Sequence, residues 1–102
     1  MTEKRISTIK KRIEKIKSEI FTIGCMRPGS LTKQYRDPKN RMGSYYQISY
    51  TYEMKSRTEY VRKEFVKKIR LEIKNYKRYK KLNSDLISLS IERSKLTMKI
   101  KL

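Results

Sequence analysis

Residues Tyr45-Tyr46-Gln47-Ile48-Ser49-Tyr50-Thr51-Tyr52, answered a few positions later by Thr58-Glu59-Tyr60-Val61, decide how this chain folds. Both runs are rich in aromatic and β-branched side chains, which suit a pleated, half-buried surface. They predict an antiparallel hairpin over 44–61, with Glu53-Met54-Lys55-Ser56 as its turn. The turn lacks the favoured Asn-Gly pair. If it centres on Met54-Lys55, Tyr52 faces Arg57, Tyr50 faces Glu59 and Ile48 faces Val61. Strand side chains alternate, so the other face presents Tyr45, Gln47, Ser49, Thr51, Thr58 and Tyr60. A lone hairpin is marginal in water, so it needs a third strand on one edge and a helix over its Ile48/Val61 face.

Both are available in the flanking sequence. Residues 24–43 hold every glycine and proline of the chain (Gly24, Pro28, Gly29, Pro38, Gly43), so turns concentrate there. Pro28-Gly29 suits the centre of a type II turn. Between the turns Leu31, Lys33 and Tyr35 alternate, which predicts a short strand over 31–36. Upstream, Ile6, Ile9, Ile13, Ile16, Ile20 and Ile23 step by three and four, the spacing of a helical seam, and predict a helix over 3–23 that Gly24 ends in the left-handed conformation. Downstream, residues 62–102 contain neither Gly nor Pro. A helix over that whole stretch spans about 60 Å.

Two apolar stripes run along this second helix. Phe65, Ile69, Ile73 and Tyr76 are placed to cover the hairpin; Leu82, Leu86, Leu89, Arg93, Leu96 and Ile100 repeat the three-four spacing with one intruding Arg. The stripes change phase near Tyr76–Leu82, and Asn83-Ser84-Asp85 offers a place for a break. Pairing the two seams antiparallel sets Ile23 near Tyr79–Leu82 and Ile6 near Leu96–Ile100. The predicted fold is therefore α+β within a single domain: an N-terminal helix, a two- or three-stranded antiparallel sheet, and a long C-terminal helix pairing with the first as a coiled-coil stalk. Arg93 must reach water or an acid, and in this register it is expected to reach Glu14, or a Glu of a second chain.

Composition narrows the chemistry. The 102 residues include no His and a single Cys, Cys25, so disulfide frameworks, His/Cys zinc clusters and His-based triads are excluded. None of the ten carboxylates forms a loop pair suited to a metal, and Gly29-Ser30 is too short for a phosphate loop. The reading is non-enzymatic, without cofactor or metal. No apolar run approaches the roughly 20 residues of a membrane span, and the start, Met1-Thr2-Glu3-Lys4-Arg5, lacks an apolar signal core, which places the chain in the cytoplasm with no membrane partner.

The charge then points to a polyanion. Lys and Arg total 28 against 10 Asp and Glu, a net +18. Residues 62–81 alone carry 10 basic and 2 acidic side chains. Within them Lys63, Lys67, Arg70, Lys74, Lys77 and Lys81 step 4, 3, 4, 3, 4 along one side of the helix, with Arg78 beside them. Such a row can track phosphates. Arg62, the sheet residues Lys33, Arg36, Tyr45, Gln47 and Arg57, and Arg41 in the turn complete the candidate site. Sheet tyrosines can stack on bases or pack a small core, and Tyr46 and Tyr50 read as packing. The expected partner is nucleic acid, duplex DNA ahead of structured RNA. The rival reading makes the seams the working surface, in an interaction protein docking on a ribosome, virion or transposase. Ile87, Ile91 and Met98 fall outside the stalk seam and leave room for a homodimer through the long helix.

Arg27-Pro28-Gly29-Ser30-Leu31-Thr32-Lys33-Gln34-Tyr35, followed by Gly43-Ser44-Tyr45-Tyr46-Gln47-Ile48-Ser49-Tyr50-Thr51 and Thr58-Glu59-Tyr60-Val61, resembles a family of small archaeal and bacterial proteins classed as a domain of unknown function and found near mobile elements. That family's pattern is a Gly-Ser-Leu turn, a Tyr, a Cys-rich knuckle, Gly-x-Tyr-Tyr, a hairpin and a long charged helix. The resemblance covers residues 27–90, but Arg36-Asp37-Pro38-Lys39-Asn40-Arg41-Met42 has no Cys, so it implies architecture here without the family's metal knuckle. A looser likeness, at the level of fold, is to the sheet-plus-helix arm domains of integrases, whose sheet lies in the major groove.

Overall fold

The computed structural model describes residues 2–101, with side chains as far as residue 99. Six elements follow one another: α1 (Thr2–Phe21), β1 (Ser30–Asp37), β2 (Met42–Tyr52), β3 (Lys55–Val61), a single 3₁₀ turn (Lys63–Phe65) and α2 (Val66–Lys101). The fold is α+β, with an N-terminal helix, a three-stranded antiparallel sheet in the order β1-β2-β3, and a long C-terminal helix packed against the first. The chain divides into two compact units, Met1–Ile23 with Arg78–Leu102, and Gly24–Lys77.

The helical unit is held by the isoleucine seam. Ile9 and Ile13 are buried against Leu89, and Ile16, Leu86 and Leu96 pack around them. Arg5 donates to Glu92 at 2.6 Å, so the start of α1 lies beside the later part of α2 and the pairing is antiparallel. Ile100, the last expected seam residue, lies outside the described side chains. Arg93 does not reach Glu14; both are exposed, and Arg93 takes the solvent route. α2 runs through Asn83-Ser84-Asp85 without a break, because each turn there still buries or half-buries an apolar side chain, Leu82, Leu86 and then Leu89. Gly24 does not end α1 in the left-handed conformation. The helix tightens instead: the Thr22 amide donates to Ser18 and Glu19 carbonyls, and the Thr22 hydroxyl donates to the Glu19 carbonyl at 2.7 Å. Those bonds satisfy carbonyls that a helix end otherwise leaves open.

The sheet unit has its own core. Ile48 is wholly buried among Val61, Val66 and Ile73, with Leu31, Tyr46 and Ile69 packed on them. Burying such a side chain contributes about 1.5–3 kcal/mol. The helix stripe over the sheet is Val66, Ile69 and Ile73 rather than one beginning at Phe65, which sits in the 3₁₀ turn and is 48% exposed. The hairpin register also differs from expectation by two residues. Tyr52 pairs with Lys55, Tyr50 with Arg57, Ile48 with Glu59 and Tyr46 with Val61. The loop is Glu53-Met54, both with positive φ (52° and 64°), the two-residue geometry that matches the twist of paired strands. Since strand faces repeat every two residues, this slip leaves every side chain on its expected face.

Candidate nucleic-acid interface

β1 enters the sheet unit through Gly29, whose φ is +142°. A Cβ at this position falls 2.8 Å from Ile48 Cγ1, so glycine is required by space as well as by conformation, and no Pro28-Gly29 type II turn is needed to explain it. The preceding segment is clipped to α2. The Arg27 amide donates to the Glu72 carbonyl at 3.1 Å, and Asn75 Nδ2 donates to the Cys25 carbonyl at 2.9 Å. Cys25 itself is exposed.

The Arg27 side chain continues to a small polar cluster at the surface. Its Nη2 donates to Glu59 Oε2 at 2.9 Å, the Tyr50 hydroxyl donates to Glu59 Oε1 at 2.7 Å, and the guanidinium lies 5.0 Å from the Tyr50 ring centroid. The Tyr50 hydrogen bond, then that of Arg27, holds the Glu59 carboxyl below its ordinary pKa. The same hydrogen bond to Glu59 raises Tyr50. Tyr46 packs on the core, as expected, whereas Tyr50 is engaged by Glu59 and Arg27 in this polar cluster. Arg27 and Glu59 were not expected to partner; only the folded chain brings residues 32 positions apart together.

Clipping 25–27 to α2 has an electrostatic result. At 3.6 residues per turn, Glu72 and Asn75 lie on one flank of α2, while Lys67, Arg70, Lys74 and Lys77 fall within roughly 80° of arc on the other. All four are exposed, and none forms an ion pair within the described structure. Exposed Leu71 lies among them, on a surface shared by Lys67, Lys68, Arg70 and Lys74 and by Glu64 at its edge. Arg70, Lys74 and Lys77 also rim an open cleft of about 360 Å³, bordered by Gly29, Ser30 and Leu31 and lined by Ile73.

The remaining candidates are dispersed. Arg62 and Lys63 stand exposed at the junction of β3 and the 3₁₀ turn. Arg57 and Lys33 share the strand face of Tyr50 and Tyr46, and Lys33 Nζ lies 5.7 Å from the Tyr35 ring centroid. Arg41 is in the β1–β2 turn with φ 51°. Arg36, Tyr45 and Gln47 lie on the open face, away from α2, with Ser49, Thr51, Thr58 and Tyr60. Arg78 and Lys81 belong to the helical unit. The basic helix row and the Tyr45/Gln47 face are thus on opposite sides of the sheet, a separation that residue spacing along the chain does not reveal.

Among the described residues no cluster of His, Cys, Asp or Glu is arranged to hold a metal ion, and no helix is long and apolar enough to cross a membrane. Compared with protein-family models, curated proteins and solved structures, the chain matches none of them.

Proposed function

We propose that this chain is a non-enzymatic nucleic-acid-binding protein, with duplex DNA preferred to structured RNA. The observation that carries the reading is the row Lys67, Arg70, Lys74 and Lys77, exposed on one flank of α2 and free of ion pairs, with Glu64 the one acid at its edge among the described residues. Over about 15 Å of helix the row sets four cations against the roughly nine negative charges that a duplex carries along the same length of axis, enough to neutralise part of them. Phosphates neutralise the row and release counterions, so affinity falls steeply with salt. The open face, with Arg36, Tyr45 and Gln47, is a second surface with hydrogen-bonding groups suited to base edges. Titrating labelled duplex DNA and a structured RNA at several salt concentrations tests this. The expected slope of log K against log salt is about −3.6 for four duplex phosphates. No binding at low salt, or a flat salt response, sinks the reading.

The interaction reading retains one observation. Ile87, Ile91 and Met98 are 52%, 52% and 59% exposed, and their spacing sets them on the side of α2 away from buried Leu89. A helix of a larger assembly, or of a second copy, suits that stripe. Light scattering separates the cases, since a strict monomer removes the second copy.

A further inference from the structure

The cleft between the start of β1 and α2 differs in kind from the row that borders it. Its rim is cationic, with Arg70, Lys74 and Lys77, and no acid lines it. Its floor is apolar, formed by half-buried Leu31 and buried Ile73. Gly29 supplies backbone without a side chain at its edge, where a Cβ would collide with Ile48. The backbone of an intact duplex is convex and meets only the exposed ridge of the row. A concave site of about 360 Å³ falls within the size range of small-ligand pockets, near 300–1,000 Å³, and is larger than a bare phosphate requires.

We infer that this cleft seats one nucleotide, its phosphate on Arg70, Lys74 and Lys77 and its sugar and base edge against Leu31 and Ile73. The inference deepens the nucleic-acid reading and rests on it for the strand that supplies the nucleotide. An unpaired nucleotide at a duplex end and a free mononucleotide share this chemistry. Lys67 lies on the row and outside the cleft, so it serves as the internal control.

Two measurements on the full chain test the seat. In ¹H–¹⁵N spectra, dAMP is expected to shift the Leu31 and Ile73 amides and to saturate at a concentration at least tenfold below that of inorganic phosphate. Absence of those shifts, or equal potency of phosphate, overturns the seat. In the second measurement, a blunt duplex is compared with the same duplex carrying two unpaired nucleotides. A preference of fivefold or more for the overhang in the parent and in Lys67→Gln, abolished in Lys77→Gln, supports a strand as the source. Equal binding of both duplexes overturns the strand as source and leaves a free mononucleotide. If neither duplex binds at low salt, the proposed function fails, while the dAMP spectra decide the seat separately.

Discussion

The two units of this protein carry the same charge, each with 14 basic and 5 acidic side chains, and use it differently. In α1 the cations are interleaved with acids. Lys10 and Lys15 stand four residues before Glu14 and Glu19, and Lys11 and Lys17 stand three from Glu14. Helical neighbours at these spacings moderate one another's fields. On α2, Arg70, Lys74 and Lys77 have no acid three or four residues away in either direction. The nearby acid of the sheet, Glu59, is engaged by Arg27 and Tyr50. Net charge is therefore a poor guide to a binding surface; the placement of the acids decides where a polyanion finds cations unopposed.

The harshest test of this comparison removes the scaffold from one unit only. Ile48→Ala empties the one wholly buried site of the sheet unit and is expected to cost about 2–5 kcal/mol in urea unfolding. If the comparison is right, DNA affinity falls with it, because the α2 flank is left without the strand that positions the cleft. Ile13→Ala in the helical unit removes a comparable buried side chain, and under conditions where that variant stays folded it leaves DNA affinity within about twofold.

Charge neutralisation separates the units without disturbing either core. The triple change Arg70→Gln, Lys74→Gln, Lys77→Gln is expected to flatten the salt slope by about 2.7, since each phosphate deprived of its cation removes about 0.9. The matched triple Lys10→Gln, Lys11→Gln, Lys15→Gln removes the same formal charge from α1 and is expected to change the slope by less than about 1. Equal effects would mean that total charge, not its arrangement, drives binding.

Acidity probes how Glu59 is held. Its folded pKa is depressed, by the Tyr50 hydrogen bond first and then that of Arg27, so its contribution to stability is present above the unfolded carboxylate's pKa, near 4.3, and is lost as pH falls through the lower folded value. Tyr50 is raised, chiefly by the same bond, so its contribution is present below the unfolded phenol's pKa, near 10, and is lost as pH rises through the higher folded value. Tyr50→Phe is expected to flatten both limbs of a stability–pH curve recorded by circular dichroism. An unchanged acid limb would show that Arg27 alone sets Glu59.

The smallest effect belongs to the helical unit. Arg5 and Glu92 pair at 2.6 Å, but their side chains are 67% and 39% exposed. Such a pair is worth about 0.2–1 kcal/mol and is screened by salt. A double-mutant cycle with Arg5→Gln and Glu92→Gln is expected to give a coupling in that range that vanishes in high salt; a larger, salt-independent coupling would make this pair a fixed element of the register.

Much of this architecture was legible in local patterns. The three-four spacing of Ile6 to Ile23 predicts α1, although the helix ends at Phe21, the aromatic and β-branched run 45–52 predicts β2, and alternation alone assigns Ile48 inward and Gln47 outward. These features survive a register slip because side-chain direction depends on parity along a strand and on angle around a helix, both written into neighbouring residues. Tertiary structure decided the rest. The Glu53-Met54 loop set the pairing, and the 3₁₀ turn exchanged Phe65 for Val66 at the core. Hydrogen bonds from 25–27 to α2 placed Arg27 beside Glu59 and left the opposite flank to cations. The sheet's two faces then separated Tyr45 and Gln47 from the basic row. Those outcomes depend on interactions between residues far apart in the chain, whose energies are settled only when the whole sheet and its covering helix close together.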